Sequence, residues 1–356
     1  MFPDIDYLAW IEGRPDAAAH DLASSDLRPT PDGAIVPSAL DGFDVPADAT
    51  VESLVADRYD VEPEQVLVTA GASAANFIVA ATALGDGETA LVERPGYEPM
   101  WATPRALGAN VDRFRRTRED VWTLDPDRVA AALVDDTVLV SVTNRHNPTG
   151  VSTSRDGLRV VAERVHDHGA RLLVDEVYAP YGVSDDSDVP CAAGLEGSIV
   201  TGSLTKFLGL GGLRIGWLIA DAPFVERATQ VQRHLSAVAE PSRALARRAL
   251  ANDTELAARS RGLAASNHDL LRQFVAARPD LSGVVADGCP YALLFHEELD
   301  GDAVHDLAAD RDVLVVPGRF FEESEAFRVA LGRDTESMAA ALDAFGAALD
   351  ERAESA

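Results

Sequence analysis

Gly202-Ser203-Leu204-Thr205-Lys206-Phe207-Leu208-Gly209-Leu210-Gly211-Gly212-Leu213-Arg214-Ile215-Gly216-Trp217 holds the only lysine in a chain of 356 residues. Every other basic residue among the 31 is an arginine. Arginine stays protonated and makes no imine, whereas a lysine amine can lose its proton and attack a carbonyl. A single amine kept in a loop rich in serine, threonine and glycine therefore reads as a Schiff-base lysine. A drift to arginine that missed one surface codon leaves the same pattern, so the company of Lys206 has to decide.

Outward from this stretch, strand-like and helix-like periods alternate. Apolar spacing predicts helices over 51–58, 72–84, 97–107, 126–134 and 154–168, and strands over 65–69, 89–93, 109–114, 137–143, 171–175, 198–201 and 214–219. Strand and helix in turn predict parallel pairing with helices on both faces, the α/β class. Ligands of such sheets sit in the loops after the strands' carboxyl ends. Helical periodicity then dominates 223–274, with a break at Glu240-Pro241. Strands are expected at 284–285, 292–295, 313–316 and 327–331, and helices over 302–309 and 337–352. The division that follows is an arm over 1–40, a large domain over 41–240 and a smaller α+β domain over 241–356. The arm carries Pro3, Pro15, Pro29, Pro31 and Pro37 and a short helix at 7–11, and Asp185-Asp186-Ser187-Asp188 reads as an acidic loop.

The motifs fall after predicted strands. In Thr69-Ala70-Gly71-Ala72-Ser73 a strand turns into a helix, so that Gly71, the amides of Ala72 and Ser73 and the Ser73 hydroxyl form a possible phosphate seat; plain turn geometry explains the same residues. In Glu93-Arg94-Pro95-Gly96-Tyr97 the Tyr97 ring either stacks on a flat heterocycle or caps a helix on the core. Asn147, in Asn147-Pro148-Thr149-Gly150, offers an amide donor held in a turn. Leu172-Leu173-Val174-Asp175-Glu176-Val177-Tyr178 drives a buried strand into Asp175, whose charge is costly unless a cation such as a protonated ring nitrogen meets it. Tyr178 lies just beyond, within reach of the same ring. Ser203, Thr205 and Arg214 flank Lys206 with donors suited to phosphate. Together they call for a phosphorylated aromatic aldehyde with a ring nitrogen, and pyridoxal phosphate meets each requirement.

On these motifs the chain resembles the class I/II aminotransferases of the fold-type-I pyridoxal-phosphate family. The likeness rests on Ser203, Lys206 and Arg214, Asn147 to Gly150, Asp175 with Tyr178, and Pro95 to Tyr97. It also includes Val316-Pro317-Gly318 followed by Phe327-Arg328-Val329-Ala330-Leu331. The resemblance implies a large domain with a mostly parallel sheet, a smaller α+β domain and transamination between an amino acid and a 2-oxo acid. It implies that Lys206 forms the Schiff base and moves the proton, Asp175 pairs with the pyridine nitrogen, and Asn147 and Tyr178 bond the phenolic oxygen. Tyr97 would stack on the ring and Arg328 would take the substrate carboxylate. A decarboxylase, a β/γ-lyase or a cyclising enzyme uses the same set and is the alternative. Two departures stand out: Arg145 occupies a place where proline is frequent, and no clear tyrosine segment reaches toward a neighbouring subunit, leaving Phe43 or Tyr59 in that region.

Composition sets the surroundings. The 59 acidic residues give a formal charge of -28, which repels nucleic acid and anionic membranes, and the apolar share of 47% rules out a disordered chain. Acid excess with almost no lysine reads as a surface for concentrated salt, where self-repulsion is screened. No apolar run approaches the length of a membrane helix and the amino terminus lacks a signal pattern, so the expectation is a cytoplasmic protein. Cys191 and Cys289 read as free thiols and His166 and His168 as surface, with no metal site expected. A homodimer is expected from the resemblance.

Overall fold

The alternation of periods predicts the order of elements well. In a computed structural model that describes residues 4–27, 36–45, 47–183 and 189–355, the chain begins with α1 (Asp6–Ile11), α2 (Arg14–Ala17) and β1 (His20–Asp21). It continues through α3 (Val51–Tyr59), β2 (Val66–Thr69), α4 (Ala72–Ala83), β3 (Thr89–Arg94), α5 (Pro99–Ala106) and β4 (Asn110–Arg115). Next come α6 (Pro126–Ala132), β5 (Thr137–Thr143), α7 (Arg155–Asp167), β6 (Arg171–Asp175), β7 (Ser198–Ser203) and β8 (Gly216–Ile219). The helices α8 (Ala222–Gln232), α9 (Glu240–Ala251) and α10 (Asp253–Ala276) lead to β9 (Leu281–Gly283), β10 (Tyr291–His296) and α11 (Gly301–Ala309). The chain closes with β11 (Val313–Leu314), β12 (Val316–Pro317), β13 (Ala326–Ala330) and α12 (Thr335–Ser355). The acidic loop Asp185-Asp186-Ser187-Asp188 and the arm prolines Pro3, Pro29 and Pro31 lie outside the described residues.

Helix starts follow their local chemistry. Thr50, Asp125, Ser154, Asp221 and Asp300 each accept a hydrogen bond from a backbone amide of the helix they precede. Pro241 lies in the first turn of α9, where a missing amide hydrogen costs nothing, so Glu240-Pro241 opens a helix instead of interrupting one.

Seven strands form the main sheet in the order β2-β8-β7-β6-β5-β3-β4. From β7 to β4 all neighbours are parallel, and β8 is antiparallel to both β7 and β2. The mostly parallel sheet expected from the sequence is thus present, and strand alternation does not show which strand turns back. The 204–215 connection contains a single 3-10 turn and no crossover helix, so the chain can only return beside β7 in the opposite direction. Both faces are covered. Val55, Leu158, Val161 and Val165 pack on one, and Ile78, Val79, Trp101 and Phe224 on the other. This is why the central strands read as nearly unbroken apolar runs. Thr143, Asp175 and Thr201 stand in register across β5, β6 and β7, which brings the loops that follow these strands to one edge.

A four-stranded sheet, β12-β13-β10-β9, is antiparallel throughout and is packed by Leu271, Val304, Met338 and Phe345 from α10, α11 and α12. The strand expected over 313–316 is divided: Val313–Leu314 pairs with β1, and Val316–Pro317 pairs with β13. The strand expected at 284–285 lies earlier, at β9, where Gly283 sits at φ +148 with no room for a side chain beside the Leu293 carbonyl. No helix among the described residues is long and apolar enough to cross a membrane.

Gly216 joins the sheet to the turn before α4. A Cβ there would lie 2.5 Å from the Gly71 carbonyl carbon, 2.6 Å from the Ala72 nitrogen and 2.8 Å from the Gly202 oxygen, all backbone. Gly216→Ala is expected to cost about 1–3 kcal/mol in urea unfolding through overpacking. Gly212→Ala, whose Cβ would meet nothing within 4 Å, is the matched control and should leave the midpoint essentially unmoved.

Candidate active site

β6 delivers Asp175 to the sheet edge, where its side chain is buried. One carboxylate oxygen accepts from Asn76 Nδ2 at 2.8 Å and the other from the Val177 amide at 3.2 Å. Asn76 is itself oriented by the Thr201 hydroxyl, which donates to its Oδ1 at 2.7 Å. Burial raises the Asp175 pKa above its ordinary value, and the bonds from Asn76 and Val177, with the nearby Lys206 charge, offset part of that rise. Beyond the strand, the Tyr178 hydroxyl lies 2.7 Å from Ser25 Oγ.

Lys206 follows β7 and is half-buried, its Nζ 5.7 Å from the centre of the Tyr178 ring. Its backbone is pinned, the carbonyl accepting from the Leu27 amide at 3.0 Å and from the Tyr181 hydroxyl at 3.3 Å. Burial pushes the amine pKa down, but Tyr178, Asp26, Tyr7 and Tyr97 together outweigh it and hold the amine above the usual lysine range. The Ser203 hydroxyl accepts from the Thr205 amide at 3.3 Å, bending the chain at this point. Arg214 is exposed, in the left-handed region at φ +52, and aims its guanidinium at the turn before α4. Gly71, at φ +91, leaves room for it: a Cβ there would come within 3.3 Å of Arg214 Nη2.

Arg328 is carried by β13 and is 1% exposed. It donates to Asn147 Oδ1 at 2.8 Å and to the Ala23 carbonyl at 2.8 Å, and its Nη2 lies 3.5 Å from the Tyr7 hydroxyl. These acceptors are neutral, and no carboxylate among the described residues pairs with Arg328. A buried cation without a counter-ion is costly.

One cavity of about 510 Å³ is lined by Lys206, Asp175, Tyr178, Gly71, Ala72, Ser73, Tyr97, Asn147, Ser203 and Arg214, and by Arg328 at the same opening. The structure thus gathers every site residue read from the sequence. It adds Tyr7, Asp26 and Asn76, which that reading did not name. Asn76 left a faint signal as the only amide in the first two turns of an otherwise small and apolar helix, four residues after Ala72 and so on its face. Tyr7 left none, because its place depends on the path of the arm. Arg145 is a brace instead of a ligand: it donates to the carbonyls of Gly150 and Asp287 at 3.1 and 2.8 Å. Tyr59 packs edge-on against Trp217, and Phe43 packs on the main core under the Arg259 guanidinium. His166 lies 3.4 Å from Glu196, and His168 bonds the Val134 carbonyl.

A half-buried amine, a buried carboxylate, a phenol, an amide and an exposed guanidinium beside a glycine turn form a donor set that fits pyridoxal phosphate. The fold and this set define an enzyme of the pyridoxal-phosphate-dependent transferases. The family model "Aminotransferase class I and II" matches residues 41–345. The chain belongs to that family: it is an aminotransferase whose cofactor is pyridoxal phosphate. It is 27% identical to the histidinol-phosphate aminotransferase of Haloarcula marismortui, over 81% of this chain and 78% of that protein. It is 30% identical to the aromatic amino acid aminotransferase of Rhodococcus opacus, over 77% of each. A pyridoxal-phosphate-dependent aminotransferase from Streptococcus suis shares the fold with a TM-score of 0.87, at 23% identity and 98% coverage of both chains.

Asn76→Ala would remove a donor that stabilises the Asp175 carboxylate. The Asp175 titration, followed by carboxyl-carbon nuclear magnetic resonance, should move to higher pH. The sign is fixed: the folded-state pKa is already raised, the charged form is lost as pH falls through it, and the variant loses that form at a higher pH than the wild type. An unmoved or lowered titration would show that Asn76 does not support the charge.

Proposed function

We propose that Lys206 attaches the cofactor and then moves the proton at the substrate Cα, while Arg328 takes the carboxylate of the incoming amino acid. The observation that carries this reading is the meeting, around one cavity, of the chain's single amine, a buried Asp175 and a buried Arg328 without a carboxylate partner. When bound, pyridoxal phosphate supplies an electron sink for the charge left at Cα. Asp175 would keep a proton on its ring nitrogen, Tyr178 and Asn147 would bond its ring oxygen, and Tyr97 would pack against the ring. Arg214, Ser73 and Ser203, with the amides around Gly71 and Ala72, would hold its phosphate. Arg328, fixed by Asn147 and Ala23, orients the amino acid so that its Cα–H bond faces the amine.

Further features support the setting. Arg214 is exposed on the phosphate side, which favours a homodimer whose second copy covers that seat. Two free cysteines, Cys191 and Cys289, suit a cytoplasmic protein. The charge of -28 suits work in concentrated salt.

The test is a panel of amino acids offered one at a time to the cofactor-loaded protein with a 2-oxo acid. Amino group should appear on the acceptor in step with loss from the donor. Lys206→Ala and Lys206→Arg should each lower turnover by at least about 10²–10⁴-fold, since neither side chain exchanges a proton at neutral pH as an amine does. Carbon dioxide release, or turnover that needs no acceptor, would replace transamination with decarboxylation, elimination or cyclisation.

A further inference from the structure

The helix α1 has six residues, too few to persist without anchors, and its N-cap residue Ile5 makes no side-chain cap. Its first amides are satisfied from far along the chain. Glu98, the residue after Tyr97, accepts from the Asp6 amide through Oε1 at 3.1 Å and from the Tyr7 amide through Oε2 at 2.7 Å. The other anchors belong to the C-terminal sheet's side of the cavity. Tyr7 meets Phe320 and Phe321 at 5.7 and 6.0 Å between ring centres, and Trp10 meets Phe320 at 4.9 Å. α1 therefore bridges the mouth of the cavity, with one polar anchor on the main-sheet side.

Held there, Tyr7 touches both walls. Its ring stands edge-on to Tyr97 at 5.9 Å, its hydroxyl lies 3.5 Å from Arg328 Nη2, and Leu8 and Ile11 line the same opening. The cations among the described residues lining the cavity are Lys206, Arg214 and Arg328, and each already has a place in the reading above. Among the described residues none is left over for a second anionic group on the substrate, whereas an apolar or aromatic side chain would meet the wall made by α1.

We propose that Glu98 is a positioning residue for substrate choice: by holding the first turn of α1 it sets Tyr7, Leu8 and Ile11 as a wall that favours donors with aromatic or bulky apolar side chains. The inference rests on Arg328 taking the substrate carboxylate.

Two carboxylates that cannot react, 3-phenylpropionate and propionate, separate this inference from turnover. The cofactor-loaded wild type should bind 3-phenylpropionate at least about tenfold more tightly than propionate, the scale expected for burying part of a phenyl ring. Glu98→Ala should remove most of that ratio, and Glu98→Gln, which keeps one acceptor oxygen, should restore part of it. Hydrogen exchange at the Asp6 and Tyr7 amides should quicken in Glu98→Ala and less so in Glu98→Gln. The relative kcat/KM for phenylalanine over alanine should follow the binding ratio. An unchanged ratio in Glu98→Ala, whether or not the amides exchange faster, overturns the proposal, as does an equal weakening of both ligands. If the binding ratio behaves as expected but neither amino acid transfers its amino group, transamination fails as the reading and the role of Glu98 stands.

Discussion

Arg328 is a fixed cation that the fold surrounds with neutral oxygens. At 1% exposure it reaches an amide, a backbone carbonyl and a phenol, none of which cancels its charge. Burial without a counter-ion costs several kcal/mol in general terms, yet this group joins three parts of the chain. It sits on β13, grips the loop after β5 through Asn147, and holds the amino-terminal segment through Ala23. Asp175 lines the same cavity, an acid met by the amides of Asn76 and Val177 and by the nearby Lys206 charge, with a raised pKa. A ligand that binds only the folded form, and brings a group these polar side chains can pair with, adds to the stability of that form.

Much of this was legible in the sequence because it depends on local chemistry. A parallel sheet covered on both faces needs apolar runs, and a carboxylate at the end of such a run, as in Leu172 to Asp175, has few structural excuses. Glycine turns before helices and the lone lysine are equally local. What escaped depends on the path of the chain. The reversal at β8 follows from the absence of a crossover helix between Ser203 and Gly216, which periodicity cannot weigh against a loop. Likewise, Val313 to Val316 read as one strand, although its two halves serve different partners, β1 and β13. Tyr7 was invisible because its position is set by Glu98 and Phe320, far away in sequence.

The amino-terminal segment shows how such non-local order is achieved. β1 adds a parallel strand to β11, and the Leu22 carbonyl then accepts from the Ala330 amide at 2.8 Å, so the segment is joined to the strand that carries Arg328. From there it passes Ser25, bonded to Tyr178, and the Leu27 amide, bonded to the Lys206 carbonyl. The segment thus forms part of the cavity wall at its first helix and again from Ala23 to Asp26, touching in turn the guanidinium, the phenol and the lysine backbone.

The single lysine is explained by what the arginines do. Arg243 contacts both oxygens of Glu52 at 2.7 and 2.8 Å, and Arg116 meets Glu93 in the interior at 2.8 Å. The planar guanidinium suits such fixed pairing, and its charge is permanent. Lys206 enters no ion pair among the described residues. Its charge depends instead on a balance, with burial on one side and Asp26 and three phenols on the other. A guanidinium at this position would stay charged whatever the cavity held. The compositional oddity therefore has a physical side: Lys206 is the one position in the chain where a basic side chain carries an amine in place of a guanidinium.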